Sequence, residues 1–263
     1  MEPHDIKTTK WKILFINAIP IICLSIIALA SNFLLIVKPG IFQDDWFLYA
    51  SKFAHISLYD MFKIDRPGLG IYFDLIKSIL GYNIIVWKIY IILLKIVSGF
   101  VFYILIGKIF NTRKIINLIV SSFLIIYPGF LQTGESITYQ SHYFAFIICM
   151  LSIYITLICL TKRKIFVLLG LYIISIFLEI TYLSMLDYFI GMEIVRIAIV
   201  YLYLRDDKTN WKKRILHTIK QLSPNIIIAV VFVIWKLFIF PSARNATNPT
   251  LILSNLLSET FLS

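Results

Sequence analysis

The sequence predicts an all-α polytopic membrane protein, and three observations carry that prediction. Of 263 residues, 60% are hydrophobic and only 15% are charged, with a mean hydropathy of +0.88, far from the balance of a soluble domain. The apolar residues gather into continuous runs of about 20, the length that crosses a bilayer as a helix. Those runs do not alternate as the strands of a membrane barrel do.

Taken in order, about seven runs read as spans: Ile13–Val37, Ile84–Phe110, Ile115–Tyr127, Tyr143–Leu160, Ile165–Tyr182, Leu186–Leu204 and Pro224–Phe240. The third is short unless it extends to Leu131. Lys7, Lys10 and Lys12, an apolar run and Ala28-Leu29-Ala30 imitate a secretory signal with a cleavage site. Phe33 to Val37 continue the apolar run past that site, which favours a retained helix.

Lysine and arginine fix the expected orientation. Fifteen lie in the N-terminal segment and the loops around residues 108–114, 162–164 and 205–220; six lie in the alternate loops, the longest of which spans 38–83. By the positive-inside rule the N-terminus is cytoplasmic in a plasma (inner) membrane, and the 38–83 loop faces outward. Anionic membrane lipids account for the net charge of +11, so no nucleic-acid partner is implied. Cys23, Cys149 and Cys159 all fall in spans and read as small buried hydrophobes. No Cys-x-x-Cys, Walker, GxGxxG or HExxH pattern occurs, nor any internal repeat, so residues 1–263 read as one membrane domain.

The outer loop carries the most information. Asp44 and Asp45 stand side by side after the first span, and such an acidic pair beside a helix end is either solvated or functional. Residues 47–62 are too polar to span. A helix starting at Asp44 would gather Asp45, Lys52, His55 and Tyr59 on one face, an interfacial amphipathic helix. Asp65-Arg66-Pro67-Gly68 breaks it. A second amphipathic piece, Ile71–Leu80, then leads through Gly81-Tyr82-Asn83 into the next span.

Charged residues inside spans come next. Lys95 sits mid-span, on one face with Ser98 and Gly99, a face suited to close helix contact. A lone ammonium there needs a partner, and Glu193 on the sixth span is a candidate, although Arg196 lies three residues from it on the same helix. Lys95, Glu193 and Arg196 therefore read as structural ion pairs. Lys88 and Lys236 lie about a turn inside the outer ends of their spans, where lysines bind anions or snorkel to headgroups. The second outer loop, Pro128–His142, offers Glu135, Tyr139, Gln140 and His142. Glu179 and Asp187 flank a short outer turn and read as solvated. Asn245-Ala246-Thr247 matches a glycan acceptor triplet, a pattern frequent by chance.

The order of these features resembles the GT-C glycosyltransferases, most nearly the protein O-mannosyltransferase and aminoarabinose transferase branch. The likeness rests on Asp44-Asp45-Trp46, Arg66-Pro67, and Gly81-Tyr82-Asn83 through Lys88 to Ile106. Tyr127-Pro128-Gly129 with Glu135-Ser136, and Met192 to Arg196, fit the same order less distinctively. The resemblance implies a GT-C-like helix bundle that moves a sugar from a polyprenyl-phosphate carrier to a glycan, lipid or protein acceptor on the outer face. It implies Asp44 or Asp45 as general base or metal ligand. Members of that family continue past this length, so it also implies an N-terminal portion of a longer chain.

The chemistry needs such parts independently. Inverting displacement at the anomeric carbon requires a base within reach of the acceptor hydroxyl and cations at the departing phosphate. Arg66, Lys88 and Lys236 are the candidate phosphate ligands. Glu135, His55 and His142 are candidates for an acceptor or divalent-metal site, since hard ions favour oxygen ligands. Two alternatives stand beside transfer: a transporter or flippase for lipid-linked sugars, which would also hold intramembrane charge, and a non-catalytic membrane scaffold.

Overall fold

The structure, a computed structural model, describes residues 3–38, 40–110, 113–127, 135–161, 164–205 and 210–240, with side chains from Ala18 onward, Gln43 excepted. Pro128-Gly129, the Asn245-Ala246-Thr247 triplet and residues 251–262 lie outside the described residues. Ten α-helices are described: α1 (Pro3–Val37), α2 (Trp46–Ala54), α3 (Leu58–Phe62), α4 (Pro67–Leu80), α5 (Ile84–Phe110), α6 (Lys114–Ile126), α7 (Ser136–Cys159), α8 (Ile165–Met185), α9 (Gly191–Tyr203) and α10 (Trp211–Ile234), the last extended by a π-turn, Trp235–Ile239. No strand occurs among the described residues.

Five of these helices are long and apolar enough to cross a membrane: Ala18–Val37 of α1, α5, α7, α8, and Trp211–Ile239 through α10. Their outward residues, such as Ile26, Leu93, Phe166, Phe177 and Val231, are exposed large hydrophobes with no protein over them, which lipid satisfies and water would not. The chain is an all-α polytopic integral membrane protein.

The two remaining predicted spans are helices of 13 residues, α6 and α9. At about 1.5 Å per residue each is about 20 Å long, short of the ~30 Å hydrocarbon core. In the sixth predicted span, a 3-10 turn at Asp187–Ile190 precedes α9, and α9 buries the charged Glu193 and Arg196. The fourth begins seven residues before its predicted start, at Ser136, so Tyr139, Gln140 and His142 lie on a helix and not in a loop.

The segment after α1 departs from the single helix expected over 44–62. A 3-10 turn, Gln43–Asp45, feeds α2, which ends where His55 adopts a left-handed φ of 53°, a conformation rare outside glycine though less so for histidine. Ser57 then caps α3, its side chain accepting from Asp60 N at 3.0 Å. The Asp74 carboxylate accepts from Leu58 N and Tyr59 N, each at 3.0 Å. Helix α4 starts at Pro67 instead of Ile71, because a proline ring pre-sets the first helical φ.

Where the sequence reads as one membrane domain, the contacts divide the chain into two compact units, residues 1–50 with 80–154, and residues 51–79 with 155–263. In the first unit, α5 packs against α1 and α6. Leu24 and Ala28 of α1 bury against Ile125 of α6, and Ile91, Ile92 and Leu94 of α5 bury against Tyr143 and Ile147 of α7. A Cβ at Gly99 would meet Ile125 Cδ1 at 2.6 Å, so α5 and α6 approach closely there and a larger residue would have to displace the end of the Ile125 side chain.

Lys95 lies on that α5 face, but its partner is not a carboxylate. Its ammonium donates to Asn32 Oδ1 at 2.7 Å and sits over the Tyr143 ring, 5.6 Å from the centroid. The expected ion pair is thus corrected to an amide contact with a cation–π contact. In the second unit, α10 packs against α8 and α9, and a Cβ at Gly68 would meet the Ser184 carbonyl carbon at 2.8 Å.

Candidate functional site

The polar end of the first unit is assembled from three segments. Asp45 N donates to Phe42 O at 2.8 Å, closing the 3-10 turn that turns the Asp45 side chain inward. There Asp45 Oδ1 accepts from Ile137 N at 3.0 Å, Thr138 N at 2.9 Å and Thr138 Oγ1 at 3.1 Å. A helix start leaves its first N–H groups without intrahelical partners and carries partial positive charge. Asp45 thus caps α7 from more than 90 residues away in sequence.

The adjacent aspartates therefore differ in kind. Asp45 is 0% exposed, and its other oxygen, Oδ2, has no hydrogen-bond partner among the described residues. Burial pushes its carboxyl up to about 6, against the pull of the Thr138 and Ile137 bonds and with a further push from Glu135. Asp44 is exposed. Its charge reaches Glu135 and Tyr139. Burial, and after it the Asp44 charge, holds the Glu135 carboxyl above its usual range.

The cation of this cluster is Lys88. Asn83 opens α5 by accepting from Ile85 N at 3.0 Å, after Gly81 has turned the chain at φ 65°, and Trp87 Nε1 anchors to Gly81 O at 2.9 Å. One turn in, the Lys88 ammonium is fully buried without a hydrogen-bond partner among the described residues. It lies 5.1 Å from the Phe42 ring centroid and within electrostatic reach of Asp45. Ser136 Oγ is likewise buried and unpartnered. Buried polar atoms in this condition await a ligand or hold strain. His142, one turn along α7, stacks on Tyr139 with centroids 4.7 Å apart, and Ser141 Oγ lies 3.3 Å from its Nδ1.

The other candidates belong to the second unit. His55 makes the exposed turn between α2 and α3, with its left-handed backbone. Arg66 and Lys236 converge on Asp187: Arg66 Nε to Oδ1 is 3.9 Å and Lys236 Nζ to Oδ2 is 3.4 Å. Lys236 also donates to Asp65 O at 2.5 Å. Asp187 is therefore shared between two cations instead of simply solvated.

A buried network lies in the same unit. Arg196, 1% exposed, meets Glu193 Oε2 through Nε at 2.9 Å. It donates to Tyr182 Oη at 3.0 Å, Thr156 Oγ1 at 3.2 Å and Ser175 Oγ at 3.3 Å. Tyr182 in turn donates to Glu193. The Glu193–Arg196 pair is as the sequence leads one to expect. Glu179, expected at a solvated turn, is instead 0% exposed, because α8 runs on to Met185.

Two carboxylates, Asp44 and Glu135, suit a divalent ion only if ligand oxygens complete the shell, as phosphates do for magnesium. No group of three or more metal-ligating side chains gathers among the described residues. Sequence reasoning read Asp187 as solvated and not as the partner of Arg66 and Lys236, and it missed Asn225, buried against Glu179, for which a lone asparagine in an apolar run was the only signal. Compared with family models, curated proteins and solved structures, the chain matches none.

Proposed function

We propose that the chain transfers a glycosyl group from a polyprenyl-phosphate carrier to an acceptor on the outer face of the plasma (inner) membrane, with its N-terminus cytoplasmic. The reading is carried by one observation: an exposed carboxylate, Asp44, within electrostatic reach of Glu135, adjoins Asp45, which acts on a buried Lys88 ammonium that has no hydrogen-bond partner among the described residues. Asp44 takes the acceptor proton as general base, with Glu135 beside it. Lys88 offers positive charge toward the departing phosphate. Asp45 is a positioning residue that fixes the α7 start and with it Glu135. A divalent ion, where the reaction uses one, would be held by Asp44 and Glu135 and would offset charge on the donor phosphate.

Buried charge in the second unit also fits a transporter for lipid-linked sugars, and one assay separates the readings. Membranes carrying the full chain are given radiolabelled polyprenyl-phosphate sugar and followed for label in lipid, glycan and protein. Transfer that falls at least ~100-fold in Asp44→Asn is the expected result. Label that crosses the membrane without changing carrier, or transfer indifferent to Asp44→Asn, overturns the reading.

A further inference from the structure

We propose that Glu179, on α8 in the second unit, is an intramembrane proton-binding site, its carboxyl holding a proton taken from and returned to solvent. The inference is independent of the transfer reading.

Charge inventory is the first ground. The buried network contains one permanent cation, Arg196, and two carboxyl groups, Glu179 and Glu193. With both ionised it would hold an uncompensated negative charge inside the membrane, which costs several kcal/mol. One proton makes it neutral.

Geometry says which carboxyl takes it. Glu193 meets Arg196 at 2.9 Å, receives a second guanidinium contact at 3.3 Å and accepts from Tyr182. Its side chain keeps 11% exposure. Glu193 is therefore the ionised partner. The nearest approach of Arg196 to Glu179 is 3.6 Å, beyond hydrogen-bond range. Glu179 is instead held by Asn225, whose Nδ2 lies 2.5 Å from Oε2.

Two fully buried oxygens here, Glu179 Oε1 and Asn225 Oδ1, accept nothing among the described residues. What this corner lacks is a donor, and a protonated carboxyl supplies one. The charged groups acting on Glu179 are Arg196 and Glu193 from α9, and α10 presents Asn225, which does not titrate; Tyr182 from α8 and Thr156 from α7 stand on Arg196.

The test is infrared spectroscopy of the purified full chain in lipid nanodiscs at neutral pH, following the carbonyl stretch that only protonated carboxyls show. Glu179→Gln is expected to remove one such band, Glu193→Gln to remove it too because Glu179 is then the one carboxylate left to balance Arg196, and Asn225→Leu, which leaves both carboxyls in place, to move it to higher frequency by removing the amide contact. Asp45→Asn identifies any contribution from the first unit. A spectrum unchanged in Glu179→Gln, or a band that Asn225→Leu does not move, overturns the assignment. If Glu179→Gln does not fold, the Asn225→Leu shift decides alone, and its absence counts against the site.

Discussion

Each unit buries charge, but on different terms. In the second, Arg196 meets a carboxylate, a phenol and two hydroxyls, and Asp187 is shared by Arg66 and Lys236. In the first, Lys88 Nζ and Asp45 Oδ2 are buried near one another, each without a hydrogen bond among the described residues, and Asp44 stands exposed beside them. A buried cation met by several partners rigidifies a fold, whereas buried groups without partners raise the folded state's energy unless a water, an ion or a ligand completes them. On the proposed reading the charge around Arg196 is structural and the chemistry belongs to the first unit, while Glu179 Oε1 and Asn225 Oδ1 in the second also lack a hydrogen-bond partner among the described residues.

The same substitution in both units tests this contrast most severely. Arg196→Met strands buried carboxylates and should cost about 3–5 kcal/mol of stability, read as a large fall in the thermal midpoint of the purified protein. Lys88→Met removes a buried ammonium that has no hydrogen bond to lose, so stability should hold or rise while labelled transfer falls. Equal destabilisation by both would erase the distinction between the units.

Asp45 sharpens it through pH. Its carboxyl is near 6 in the folded chain, against ~3.9 when unfolded, so between those values the folded state binds more protons. Stability should therefore fall as pH rises from 4 to 6, by at most about 3 kcal/mol, and then level off. Asp45→Asn should lose that slope while keeping most of the cap on α7. A slope of the opposite sign would mean that the capping bonds outweigh burial.

What the sequence made legible was whatever depends on composition and local order. Ile84–Phe110 matches α5 end to end, since a long apolar run has one low-energy state in lipid. Gly99 marked the close helix face, and Glu193 with Arg196 was readable at a spacing of three. What stayed hidden was set by contacts distant along the chain. Asp45 and Asp44 look equivalent until the α7 start, over 90 residues on, claims one of them. Asn32 as the partner of Lys95 is 63 residues away, and Asn225 as that of Glu179 is 46. The early start of α7 was hidden because Ser136, Thr138 and Gln140 are polar, and only the folded structure shows Ser136 and Gln140 buried.

The most direct test of chemistry at the first unit's polar end is the side of the membrane on which residue 46 lies. Trp46 is exposed next to the two aspartates. In a background with Cys23, Cys149 and Cys159 replaced, Trp46→Cys should react with a membrane-impermeant maleimide added outside intact cells. Labelling only after the cytoplasmic face is opened would place Asp44 away from the outer-face carrier and contradict the proposed transfer.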